Sequence, residues 1–108
     1  MFISDRQVQE AFDVLHDQAH AKARAAYEYA EKRLKVVLAK AQLTANGKTV
    51  GEREATALTS DEYEAATKTF RMIAEAYYLE RDRRDAASAV IDAWRTQQSD
   101  MRAMGKVA

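Results

Sequence analysis

The chain has 108 residues, with 17 Lys and Arg against 17 Asp and Glu; that length holds one domain at most, and the neutral balance excludes a simple polycation that coats nucleic acid. There is no cysteine, no proline and only three glycines, which excludes a disulfide framework or a thiolate metal site and favours helix almost everywhere. Apolar runs are a few residues long, so no membrane span is expected. The opening "MFISDRQVQEAF" lacks the basic region and unbroken apolar core of a signal peptide, which makes a soluble cytoplasmic protein the expectation.

The first predicted helix covers about residues 3–44. Val8, Phe12, Leu15, Ala19, Ala23, Ala26, Ala30, Leu34, Val37 and Ala41 follow a 4-3-4 spacing that repeats every eleven residues. That period, about 3.67 residues per turn, keeps the stripe almost straight along a helix. Its middle is all alanine, so a neighbouring helix can approach closely. Ala19, Ala23, Ala26 and Ala30 are therefore expected at an oligomer interface. "TANG" ends the helix, with Asn46-Gly47 suited to a left-handed cap.

Thr49 with Glu52 reads as a capping box that opens a short connector, about 50–58. Thr59 with Glu62 reads as a second box that opens a long helix, about 60–104, stopping at Gly105. The long helix begins with a heptad face of Tyr63, Ala66, Phe70, Ile73 and Tyr77. The face fails at "ERDRRD", residues 80–85, and resumes as Ala87, Val90, Ile91, Trp94 and Met101.

Charge falls in blocks. Residues 1–21 are acidic, 22–51 basic, 52–80 acidic and 81–108 basic. Folding the chain at about residue 50 lays each block against one of opposite sign. The predicted fold is all-α: a long antiparallel helical hairpin with a short connecting helix. Exposed ion pairs contribute only ~0–1 kcal/mol each, so the blocks select register rather than supply stability. Two rods touching along one stripe bury too little apolar surface to stand alone. The hairpin is thus expected to assemble into an oligomeric bundle or ring.

Four stretches invite a chemical reading. His16 and His20 are spaced to share a metal on one helix face, but no third ligand is apparent, and a solvated helix face is the favoured reading. "NGKTVG" ends like a phosphate-binding loop, yet Gln42 stands where that loop needs its first glycine, and a helix precedes it where a strand is required. Tyr27, Tyr29, Tyr63, Tyr77 and Tyr78 could stack on bases, but tyrosines at helical spacing more often serve a core or interface, which is the favoured reading. On the last helix, Arg81, Arg84, Arg95, Arg102 and Lys106 fall on one stripe, interrupted by Asp92. A basic stripe of that kind suits a phosphate backbone. The adjoining apolar side, with Val90, Ile91, Trp94 and Met101, suits a partner subunit. No nucleophile–base pair and no complete metal set is visible, so neither enzyme activity nor a cofactor is expected.

The layout resembles a family. A basic first helix ("AEKRLKVVLAKAQL"), a glycine break, an acidic re-entry ("TSDEYEAA") and a last helix ending "SDMRAMG" are similar to small all-helical proteins of tailed phages, in outline the UvsY-type recombination mediators of the T-even phages. The resemblance implies a ring-forming protein in the host cytoplasm. Such a protein binds single-stranded DNA and helps load a recombinase onto strands covered by single-strand-binding protein. The basic positions would take the DNA role, and Asp100-Met101-Arg102-Ala103 would be more structural. The expected function is thus a non-enzymatic, homo-oligomeric DNA-recombination accessory. Its rival is a purely protein-binding helical module, such as a phage assembly factor or an inhibitor of a host defence complex.

Overall fold

The computed structural model describes residues 2–107, with side chains as far as residue 105. Four helices follow one another: α1 (Asp5–His16), α2 (Ala19–Thr44), α3 (Val50–Leu58) and α4 (Asp61–Val107). No strand occurs among the described residues, and no helix there is long and apolar enough to cross a membrane. The chain divides into two compact units. One unit joins the residues up to His20 with those from Leu79 onward; the other is Ala21–Tyr78.

In the first unit, α1 packs antiparallel on the later part of α4. Ser4 opens α1: its hydroxyl accepts the Gln7 N–H at 3.2 Å, and Gln7 Oε1 accepts the Ser4 N–H at 2.8 Å. Two orphan donors of the first turn are satisfied reciprocally. Ala11, Ala87 and Ile91 form the buried seam, with Phe12, Val14, Leu15 and Val90 packed against it. The start of the chain is tied to α4 by one side chain. The Ile3 N–H donates to Gln97 Oε1 at 2.7 Å, and Gln97 Nε2 donates to the Ile3 carbonyl at 2.9 Å.

A single helix over 3–44 is not what forms. Asp17 ends α1 in an extended conformation, φ −74° and ψ 165°. Its carboxylate accepts the Ala19 N–H at 3.1 Å, offering the backbone an alternative to another helical turn. The apolar stripe continues across the break, so periodicity alone does not reveal it.

In the second unit, α2 and the early part of α4 run antiparallel, with α3 in the connection between them. Tyr27 anchors the seam. Its ring centroid lies 5.4 Å from Phe70, 4.9 Å from Tyr77 and 6.0 Å from Tyr78. A hydrogen bond shared with Tyr78 is the main cause that raises the Tyr27 phenol above its ordinary value. The buried residues of this unit are Ala30 and Ala57.

The connection departs from expectation in three places. No described residue has positive φ, so Gly47 supplies no left-handed cap. Its role is close approach: a Cβ there would lie 3.0 Å from Glu52 Cβ and 3.1 Å from the Arg53 nitrogen. Thr49 caps α3 as expected, accepting the Glu52 N–H at 3.1 Å, but the Glu52 carboxylate reaches the Lys48 N–H instead of that of Thr49. Thr59 belongs to the end of α3, and Ser60 caps α4 by accepting the Tyr63 N–H at 3.3 Å. Gly105 does not stop α4, which continues to Val107. One exposed glycine costs a helix only about 1 kcal/mol, too little to end it by itself.

Gly47→Ala should lower stability by about 1 kcal/mol. The crowding against α3 outweighs the entropy gained by restricting the unfolded chain. Urea unfolding followed by circular dichroism reads the change as a lower midpoint with an unchanged slope.

Candidate functional site

Four neighbouring side chains of α4 line a groove of about 310 Å³: Trp94, Arg95, Gln98 and Arg102. Positions 94, 98 and 102 lie one turn apart in succession, and Arg95 and Arg102 are a heptad apart, so α4 alone aligns them. The ring of Trp94 is half-buried, and its indole nitrogen is buried with no acceptor. Arg95 reaches the Asp92 carboxylate at 3.8 Å. Arg102 is exposed and forms no ion pair with a described residue. The groove therefore joins an aromatic face, an amide and two exposed guanidinium groups.

The rest of the expected basic stripe is less uniform. Arg81 lies 3.5 Å from Asp82, and Arg84 is exposed. The side chain of Lys106 lies outside the described residues. Asp82, Asp85, Asp92 and Asp100 alternate with the arginines along α4, so the stripe is locally close to neutral.

The side chains expected at an oligomer interface also divide. Ile91 is 3 % exposed and packs within its own unit beside Val90. Trp94 is half-buried. Met101 is exposed and shares a shallow depression with Phe2, Thr96 and Gln97. Among the alanines, Ala30 is buried, Ala19 and Ala23 are half-buried, and Ala26 is exposed.

Arg83, which carries no expectation from the sequence, is the arginine with the fullest set of partners. It donates to Asp17 at 2.9 Å and to Glu80 at 3.1 Å, joining α4 to the α1–α2 junction. Its only trace in the sequence is the point where the apolar face fails at 80–85. The Arg83 hydrogen bond is the chief cause, with the Ala19 N–H second, that holds the Asp17 carboxyl below its ordinary value; partial burial opposes them. Between the opposite-charge blocks, Arg83 with Asp17 is a pair that crosses from one helix to another. Arg6–Glu10, Arg24–Glu28 and Lys68–Glu64 are pairs within one helix, because most charges sit on outer faces away from the seams.

The remaining motifs are absorbed structurally. The break at Asp17 separates His16 from His20, so the two do not share one helix face, and His16 Nδ1 lies 2.8 Å from the Phe12 carbonyl. Among the described residues no three candidate ligands gather for a metal. The Lys48 N–H and Thr49 hydroxyl serve the cap of α3. Of the tyrosines, Tyr27, Tyr77 and Tyr78 cluster together, Tyr63 is half-buried and Tyr29 is 67 % exposed. No protein-family profile, curated protein or solved structure matches the chain.

The Asp17 junction gives the fold a specific acid sensitivity. The Asp17 carboxyl titrates lower in the folded chain than its ordinary value of 3.8. Its contribution to stability is thus complete above that value and is lost as pH falls through the depressed one. Thermal melting between pH 6 and pH 2 should show a smaller acid-induced loss for Asp17→Asn than for wild type, with the variant less stable at pH 6. Equal pH dependence of the two proteins would contradict the assignment.

Proposed function

We propose that this chain is a non-enzymatic, self-assembling accessory protein of phage DNA recombination that holds single-stranded DNA along the later part of α4. The carrying observation is the groove that sets the Trp94 ring beside Arg95, Gln98 and Arg102. Aromatic rings stack on bases of any identity, and guanidinium groups contact the intervening phosphates. Arg102, with no carboxylate partner among the described residues, keeps its charge available for such a contact. The recombination setting rests on the resemblance in helix layout and in the ending "SDMRAMG". In that setting the partners are a recombinase or a single-strand-binding protein, in the host cytoplasm.

A second reading, a purely protein-binding helical module, draws support from the aspartates interleaved with the arginines. Carboxylates beside a bound strand repel its phosphates, whereas a protein partner can match mixed charge.

Titration of a labelled single-stranded oligonucleotide at low and moderate salt separates the two. Binding by wild type should weaken steeply with salt and ignore sequence. Arg95→Ala/Arg102→Ala should stay folded and bind about tenfold or more weakly, with a salt slope smaller by up to about two. Trp94→Ala should also weaken binding, through the lost stacking face, and should lower stability by about 2 kcal/mol, read by thermal melting. No binding by wild type at low salt would leave the protein-binding module as the function.

A further inference from the structure

The second unit leaves an apolar groove open between α2 and the early part of α4. Its volume is about 310 Å³, and Ala30, Leu34, Phe70 and Ile73 form its floor. Tyr29 and Arg33 rise on the α2 side, and Ala65 and Thr69 on the α4 side. The unit has little else in which to bury apolar surface. Its buried residues are both alanines, while Tyr29 is 67 % exposed and Met72 is 72 % exposed. Two helices with an open floor between them lack the layer that normally covers such a face.

Charge on the two rims says what covers it. Residues one heptad apart share a side of a helix, so Lys40 joins Arg33 on the α2 rim and Glu62 joins Thr69 on the α4 rim. Arg33, Lys40 and Glu62 are exposed, and none forms an ion pair with a described residue. One rim is basic, the other begins acidic, and neither is neutralised within the chain.

We propose that a second copy of this chain docks face to face on this groove and completes an antiparallel four-helix bundle. A two-fold axis along the helix direction sets α2 of one copy over α4 of the other. A two-fold axis across the helices would instead oppose the two basic rims. Register favours the first arrangement in detail. Tyr27 packs between Phe70 and Tyr77, which places Lys40 level with Asp61 and Glu62. The same register puts Arg33 level with Thr69. Val36 falls opposite the small side chain of Ala65, and Tyr29 falls level with the exposed Met72. Apolar side chains facing one another, and Lys facing Glu twice around the axis, make the surface self-complementary. This proposal deepens the self-assembly part of the function proposed above. It uses the unit that does not carry the Trp94 groove.

Sedimentation equilibrium of the full chain at micromolar concentration tests it, with circular dichroism to confirm helicity. Wild type should sediment as a dimer or as a multiple of dimers. Lys40→Glu and Glu62→Lys, both at exposed positions, should each weaken self-association roughly tenfold or more while leaving helicity intact. The combined Lys40→Glu/Glu62→Lys protein should recover most of the lost association, because the rims match again. Ala65→Arg should yield monomer. A monomeric wild type overturns the proposal, as does an assembly that ignores these substitutions or a double variant no better than either single one. Oligonucleotide binding by the same proteins is measured separately. Its loss in wild type tells against the DNA reading alone, since assembly is read without DNA.

Discussion

Two helices that touch along a single line can bury only the side chains on that line. Each unit of this protein is built under that constraint. Many buried positions go to alanine, as at Ala11, Ala30 and Ala87, and few larger residues, Ile3, Val8 and Ile91, are buried with them. A thin seam specifies position weakly, so polar contacts supply register. Gln97 clasps the Ile3 backbone from both sides, and Arg83 fixes the α1–α2 junction through Asp17. These contacts matter because sliding one helix along another would cost little apolar burial but would break directional hydrogen bonds.

The same constraint shapes the surface. A helix in a thin pair has most of its circumference exposed, so charges that would meet across a thicker fold stay on outer faces. This explains why, Arg83 with Asp17 aside, most ion pairs among the described residues lie within one helix. It also explains how a groove with an unmatched basic rim and an unmatched acidic rim can persist in the second unit. The groove on α4 near Trp94 arises similarly: neighbouring side chains on one exposed face stand apart with nothing packed between them.

Much of the architecture was legible in the sequence because it depends on periodicity. The all-helical class, the connector at 50–58 and the long last helix all follow from apolar spacing and from Thr49. What escaped depends on single side chains turning back on the backbone. The Ser4–Gln7 box was readable as S-x-x-Q before an amphipathic run, but the stripe begins too close to it to draw attention. Asp17 interrupts a helix whose apolar stripe is unbroken, so the signal that defines the helix hides its end. Ser60 and Thr59 are equally good caps, and only the preceding turn of α3 decides between them. At the candidate site, the sequence placed Trp94, Arg95 and Arg102 on adjoining faces. Gln98, between them, gives no signal in the sequence because an amide carries no charge. Arg83 gives none because its partner lies 66 residues away.

The distribution of aromatic residues divides the molecule optically. The sole tryptophan, Trp94, lies in the first unit, while all five tyrosines fall within Ala21–Tyr78. Indole fluorescence therefore reports the loosening of the α1–α4 seam. Near-ultraviolet dichroism of the coupled Tyr27, Tyr77 and Tyr78 rings reports the α2–α4 seam. If the units melt together, both signals follow one curve; if one opens first, the curves separate, and the order of separation identifies the weaker seam. The chain thus carries a built-in label for each half, without any added probe.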